Sequence, residues 1–275
     1  MKQAALLLLL GLALAACGNG KGHAWLGYAE GDTAFVSAPQ AGWVVQMSVN
    51  RGDRVHRGQS LFTLDDTHES AVRDQALANL TQAEAALAQE QANLDYTQKQ
   101  LERQSGLARA HAGVAATLDQ AEASHRQSQN RIAQLSGQIR QMQALVADAN
   151  YQLSQRVVVS RTQGRVQDVL FRTGEYAPAM TPVVSVLPPE NIFVRFFVPE
   201  QEFAKIHLGE PVAISCDGCA PDMTARVTFV ASQEEFTPPV IFSLENRAKL
   251  VFKVEARAPG GLKLNPGQPV SVRPL

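Results

Sequence analysis

Gly42-Trp43-Val44-Val45-Gln46-Met47-Ser48-Val49-Asn50-Arg51-Gly52-Asp53 returns 122 residues later as Gly164-Arg165-Val166-Gln167-Asp168-Val169-Leu170-Phe171-Arg172-Thr173-Gly174-Glu175. The same register sets Leu61 on Val183 and Leu64 on Val186. Each copy holds two β-rich runs, Val44 to Val49 and Ser60 to Leu64 in the first, Val166 to Phe171 and Pro182 to Val186 in the second. A glycine followed by an acidic residue marks the turn that joins them. A copy of about 28 residues cannot bury a core alone, so the two are expected to pack face to face.

Between the copies the composition changes. From His68 to Ser154 there is no proline, aromatics fall to Tyr96 and Tyr151, and Ala, Gln, Leu and Glu dominate, which is a helix composition. Leu80, Leu87, Leu94 and Leu101 repeat every seven residues, with Ala83, Glu90 and Thr97 as smaller or polar intervening positions. Farther on, Leu118, Ile132, Leu135 and Ile139 belong to a seam that advances by threes and fours. Gly106 and Gly113 bracket the expected break, with the tip at about 106–116. Two antiparallel arms of about 38 residues would reach roughly 57 Å at 1.5 Å per residue. The polar positions Glu90, Thr97 and Gln98 suit lateral contacts between neighbouring hairpins.

After Pro188-Pro189, strand-like runs appear at Ile192 to Val198, Val212 to Ser215, Ala225 to Ala231, Leu250 to Ala256 and Val270 to Val272. Gly and Pro turns separate them, as in a small antiparallel barrel. Pro199 to Ile206 reads as a short helix with acids in its first turn. The strand-like stretch Ala34 to Ser37 is expected on the barrel side. Cys216 and Cys219 flank Asp217-Gly218, a tight-turn signal. They suit a disulfide staple, a redox pair or half a zinc site, and no second closely spaced Cys or His pair completes the last.

The first residues speak to compartment. Lys2, the apolar run Ala4 to Ala16 and Leu14-Ala15-Ala16-Cys17 have the form of a signal peptide. The ending resembles a bacterial lipobox, which implies cleavage before Cys17 and lipid on it. Gly18 to Gly22 comes next as a flexible tether. A net charge of -1, with both signs spread along the chain, leaves no basic footprint for nucleic acid. No phosphate-binding Gly-Lys loop is present, and the six histidines lack metal-ligand spacing. The reading is a non-enzyme with no cofactor and no metal.

Ala38-Pro39-Gln40-Ala41-Gly42 through Gly52-Asp53 to Leu64-Asp65 resembles the first half of a biotinyl/lipoyl-like domain, with turns at Gly42, Gly52, Asp53, Gly164 and Gly174. The order of split domain, helical hairpin and barrel resembles the HlyD-type membrane fusion proteins. The fold class implied is α+β, elongated and multi-domain: a split lipoyl-like β-domain, interrupted by a long antiparallel coiled-coil hairpin, then a small antiparallel β-barrel. The expected division is 1–16 signal peptide, 17–32 lipidated cysteine and tether, 33–66 first lipoyl half, 67–155 hairpin, 156–187 second lipoyl half, and 188–275 barrel.

The resemblance implies a periplasmic adaptor of a Gram-negative bacterium, tethered to the inner membrane through Cys17. It would link an inner-membrane transporter to a TolC-like outer-membrane channel and self-associate, with six copies by family analogy. Such adaptors often carry an Arg at the tip, a Leu four residues later and a Ser seven beyond. Arg103 and Leu107 fit, Val114 stands in the Ser place, and Arg109 completes the expected channel-contact set. Phe236 to Ser243 with Leu250 to Glu255 is similar to adaptors of ABC-type exporters, the YbhG-like branch. Two rival readings are a passive envelope lipoprotein and a lipoyl or biotinyl carrier. The carrier needs a modifiable Lys at the hairpin turn, where this chain has Leu64-Asp65-Asp66-Thr67.

Overall fold

A computed structural model describes residues 24–221, 223–233, 235–236 and 250–275. In chain order the elements are β1 (Trp25–Gly31), β2 (Ala34–Ser37), β3 (Gly42–Met47), β4 (Arg54–Val55) and β5 (Ser60–Leu64), then the helices α1 (Thr67–Arg109) and α2 (Ala115–Ser154). Next come β6 (Val157–Val159), β7 (Gly164–Val169), β8 (Tyr176–Ala177), β9 (Pro182–Leu187), β10 (Ile192–Pro199), the single turn α3 (Glu200–Phe203) and β11 (Pro211–Ser215). The last are β12 (Met223–Val230), β13 (Glu235–Phe236), β14 (Leu250–Arg257) and β15 (Pro269–Pro274).

The repeat folds as a sandwich of two four-stranded sheets, β2-β9-β7-β4 and β6-β5-β3-β8. Each sheet draws strands from both copies, so the copies interleave as well as face each other. The crossing obeys the repeat. Val44 donates its N–H to the Glu175 carbonyl at 2.9 Å, and Val166 donates to Asp53 at 2.8 Å. Gly52 donates to Val166 at 2.9 Å, and Gly174 donates to Val44 at 2.7 Å. Both glycines have positive φ, 96° and 89°, which the turn requires and which L-residues rarely adopt. Each following acid caps its own turn: Asp53 accepts from the Asn50 N–H at 2.8 Å and Glu175 from the Arg172 N–H at 2.9 Å. Alternation along the strands sends Val44, Leu61, Leu64, Val166, Val183 and Val186 into one core.

The barrel runs β10-β1-β15-β11-β12-β14, and β14 returns to β10 to close it. Its core holds Trp25, Val194, Phe196, Val212, Val254 and Val272. Closure leaves none of these six strands with an open edge for stray pairing. β1 corrects the expected tether. Trp25-Leu26-Gly27-Tyr28 pairs with both β10 and β15, so the segment 25–31 belongs to the barrel. The Trp25 ring stacks on Phe196 at 5.7 Å, and its Nε1 donates to Glu202 at 2.6 Å. Ala34–Ser37 does not lie on the barrel side, where its strand pattern set it, but within the half that the division 33–66 drew. As β2 it pairs with β9 in the sandwich, because a strand one connection past β1 reaches the sandwich edge. The helix expected over Pro199 to Ile206 is shortened to α3.

The hairpin of α1 and α2 rises from the sandwich. Asp65 Oδ1 accepts from the Thr67 hydroxyl at 2.6 Å and the Thr67 N–H at 3.0 Å, setting the entry into α1. Those two bonds, the hydroxyl first, hold the Asp65 carboxyl below its ordinary range. The chain turns at 110–114, so Gly106 lies inside α1 and does not bracket the break. His111, at φ 55°, carries the reversal. Gly113 passes so close to α1 that a Cβ would stand 3.0 Å from the Ala108 nitrogen.

Candidate functional site: the hairpin, its root and its tip

Two helices alone cannot enclose a row of leucines. The fully buried seam positions are Ala83 and Thr97 in α1, with Ala121, Ser128, Leu135 and Ala149 in α2. Leu80, Leu87, Leu94, Leu101, Leu118, Ile132 and Ile139 flank that line half-buried. Thr97 therefore faces the partner helix and is not free for a neighbouring hairpin, which corrects its expected lateral role. Its Oγ1 returns to the Leu94 carbonyl at 3.0 Å. One turn away Asn93 Nδ2 donates to Ser128 Oγ and to Glu90, each at 2.9 Å. Gln98 stays exposed. The middle of the hairpin is thus a polar layer between apolar stretches, an arrangement that fixes register at some cost in stability.

At the root, Glu69 in the first turn of α1 pairs with Arg156, just past α2. Arg156 Nη1 also donates to the Ala41 carbonyl at 2.9 Å. A Cβ at Gly42 would stand 2.7 Å from Arg156 Nη1, so a side chain there would push the guanidinium away from the Ala41 carbonyl. Gln40 and Gln152 hydrogen-bond beside it. These contacts join both feet of the hairpin to one strand entry. The sequence offers no local signal for the Glu69–Arg156 pair, since its members stand 87 positions apart.

At the tip, Arg103 and Leu107 lie one helical turn apart on α1, and Arg103, Leu107, Arg109 and Val114 are all exposed. Leu107 and Val114 present apolar surface, 41% and 67% exposed. Val114 occupies the N-cap of α2 and offers no capping oxygen. Thr117 Oγ1 instead bonds back to the Val114 carbonyl at 2.7 Å and across to Gln104 at 3.2 Å.

Elsewhere, Cys216 and Cys219 stand paired as a disulfide across the Asp217-Gly218 turn, Cα atoms 5.3 Å apart. Arg195 is held between Glu30 at 2.6 Å and Glu255 at 2.7 Å on the barrel wall. Asp32 and Asn191 exchange hydrogen bonds where the chain passes between barrel and sandwich, and Arg257 pairs with Asp32 at 2.6 Å. Cys17 and the expected signal peptide lie outside the described residues, as do the residues after Phe236 in the stretch to Ser243. Among the described residues no helix is long and apolar enough to cross a membrane.

No protein-family model matches the chain. It is 28% identical over 274 residues to a UPF0194 membrane protein of Yersinia pseudotuberculosis, covering 85% of this chain and 83% of that one. The structure is similar to MacA of Actinobacillus actinomycetemcomitans, with a TM-score of 0.69 at 18% identity over 91% of this chain and 76% of MacA. It is also similar to the membrane fusion protein Spr0693 of Streptococcus pneumoniae, with a TM-score of 0.51 at 17% identity over 92% and 99% of the two chains. A long helical hairpin set on a β-sandwich beside a closed six-stranded barrel is the fold of the membrane fusion proteins.

Proposed function

We propose that this chain is a periplasmic adaptor that links an inner-membrane exporter to a TolC-like outer-membrane channel for efflux of small molecules. The observation that carries the reading is the separation of its two ends. A 43-residue α1 spans roughly 65 Å at 1.5 Å per residue, and Arg103, Leu107, Arg109 and Val114 are exposed at the far end of the hairpin. A spike of that length suits bridging between partners better than packing within one domain.

In this reading the sandwich is a split lipoyl-like domain, and the barrel and a lipid on Cys17 lie toward the inner membrane. The resemblance of Phe236 to Ser243 and Leu250 to Glu255 to adaptors of ABC-type exporters favours an ABC partner of the YbhG-like branch. Several copies, six by family analogy, would stand side by side around the transporter.

The test is affinity capture from crosslinked cell envelopes, using the intact protein and one whose residues Arg103 to Leu118 are replaced by a short Gly-Ser loop. The reading expects an ABC permease with both and an outer-membrane channel with the intact form only. Capture of neither would sink it in favour of a passive envelope lipoprotein.

A further inference from the structure

We propose that Cys216-Asp217-Gly218-Cys219 is a thiol–disulfide exchange site on the barrel, with Cys219 the sulfur attacked and Cys216 the leaving group. The proposal does not rest on the adaptor reading.

The bridge has little to do as a staple. Strands β11 and β12 are already in register up to Ile214 and Met223, immediately beside the turn. The Cys219 N–H closes the turn onto the Cys216 carbonyl at 3.2 Å, and Gly218 supplies the positive φ, 77°. The disulfide encloses only two residues, the loop size at which a crosslink constrains the unfolded chain least.

The surroundings suit exchange. Both cysteines are half-buried on an exposed turn. A cleft of about 380 Å³ opens beside them, lined by Cys219, Met223, Thr224, Lys263 and Gln268, but not by Cys216. The cleft gives an incoming thiolate a path to Cys219, and Lys263 lines the same cleft. Gln268 Nε2 stands 3.4 Å from Cys216 Sγ and 3.6 Å from Cys219 Sγ. Its orientation is fixed, because Gln268 Oε1 accepts from the Asn265 N–H at 3.1 Å and leaves the amide N–H to face the sulfurs. A held N–H donor stabilises a departing thiolate, and a better leaving group speeds exchange.

The co-reactant is a protein dithiol. Its thiolate attacks Cys219 Sγ, a mixed disulfide forms, the Cys216–Cys219 bond breaks, and the electron pair leaves on Cys216, which takes a proton from water. The partner's second thiolate then attacks its own sulfur in the mixed disulfide and releases Cys219 as a thiolate, which is protonated in turn. The partner is oxidised to a disulfide and this chain is reduced to a dithiol.

The experiment treats the purified full chain with dithiothreitol at neutral pH, traps thiols by alkylation and locates them by peptide mass spectrometry, with circular dichroism followed in parallel. The site should reduce without loss of β signal, and Gln268→Leu should slow reduction about fivefold. When the oxidised chain is treated briefly with glutathione and quenched by alkylation, the mixed disulfide should lie on Cys219 and the alkyl group on Cys216. Reduction only at denaturant concentrations that unfold the barrel would overturn the proposal. So would a mixed disulfide found on Cys216, or a large fall in the unfolding midpoint of Cys216→Ala/Cys219→Ala.

Discussion

Arg156 donates from Nη2 to a carboxylate oxygen of Glu69, and the two side chains are buried together at the root of the hairpin. The pair joins the first turn of α1 to the chain just beyond α2, while Nη1 of the same arginine holds the Ala41 carbonyl. One guanidinium thus sets where both feet of the hairpin stand relative to the sandwich. Burial costs both charges their hydration, so the pair is worth most for geometry, and loss of one member strands the other.

Glu69→Gln or Arg156→Met should each lower stability by about 3 kcal/mol, since each leaves one charge buried without its counterpart. The double variant should lose less than the two single losses added together. Urea unfolding of all four proteins gives the coupling, and simple additivity would show that the contact contributes no pairwise energy.

Acid should weaken the same joint. Burial, the largest single influence on Glu69, raises its carboxyl, but the Arg156 hydrogen bond, its own backbone N–H and the nearby positive charges together outweigh burial and leave it lowered. The folded state therefore binds this proton less readily than the unfolded chain. The stabilisation is complete above the ordinary glutamate value of about 4.3 and is lost as pH falls through the lower folded value. The advantage of wild type over Glu69→Gln should hold steady near neutrality and shrink on acidification below that value.

Val114→Ser places an oxygen at the N-cap of α2, where the extended backbone already suits capping. Stability should rise by about 1 kcal/mol, read as a higher thermal midpoint without a change in helix content. If the tip binds a channel, capture by crosslinking should be kept or improved. A lower midpoint would mean that Val114 makes a needed apolar contact.

Gly52→Ala and Gly174→Ala should each cost about 1–2 kcal/mol, because each forces a side chain into the left-handed region. The two losses should be close, since the turns repeat the same backbone bonds and acid caps, with one extra bond from Arg165 Nε to the Gly52 carbonyl at 3.1 Å. No Cβ contact arises within 4 Å at Gly174, and at Gly52 the nearest is Arg165 Nη2 at 3.7 Å, so backbone strain dominates both. A much larger loss at one position would mean that the copies carry unequal loads.

Local pattern in the chain was enough to place the repeat register, a long helical segment with its break somewhere within 106–116, and the barrel strands after Pro188-Pro189. Periodicity, turn glycines and proline punctuation act over a few residues, so these features are legible without knowing what packs on what. Contacts between distant segments settled the rest. The strand Trp25–Gly31 joins the barrel across nearly the whole chain, and its partners β10 and β15 carry no sequence mark that calls for it. The crossing of β4 and β8 into opposite sheets, the inward turn of Thr97 and the pairing of Glu69 with Arg156 depend likewise on what packs against them. Hydrophobic patterning names a buried face, but only the closed packing of distant segments selects the surface that face meets.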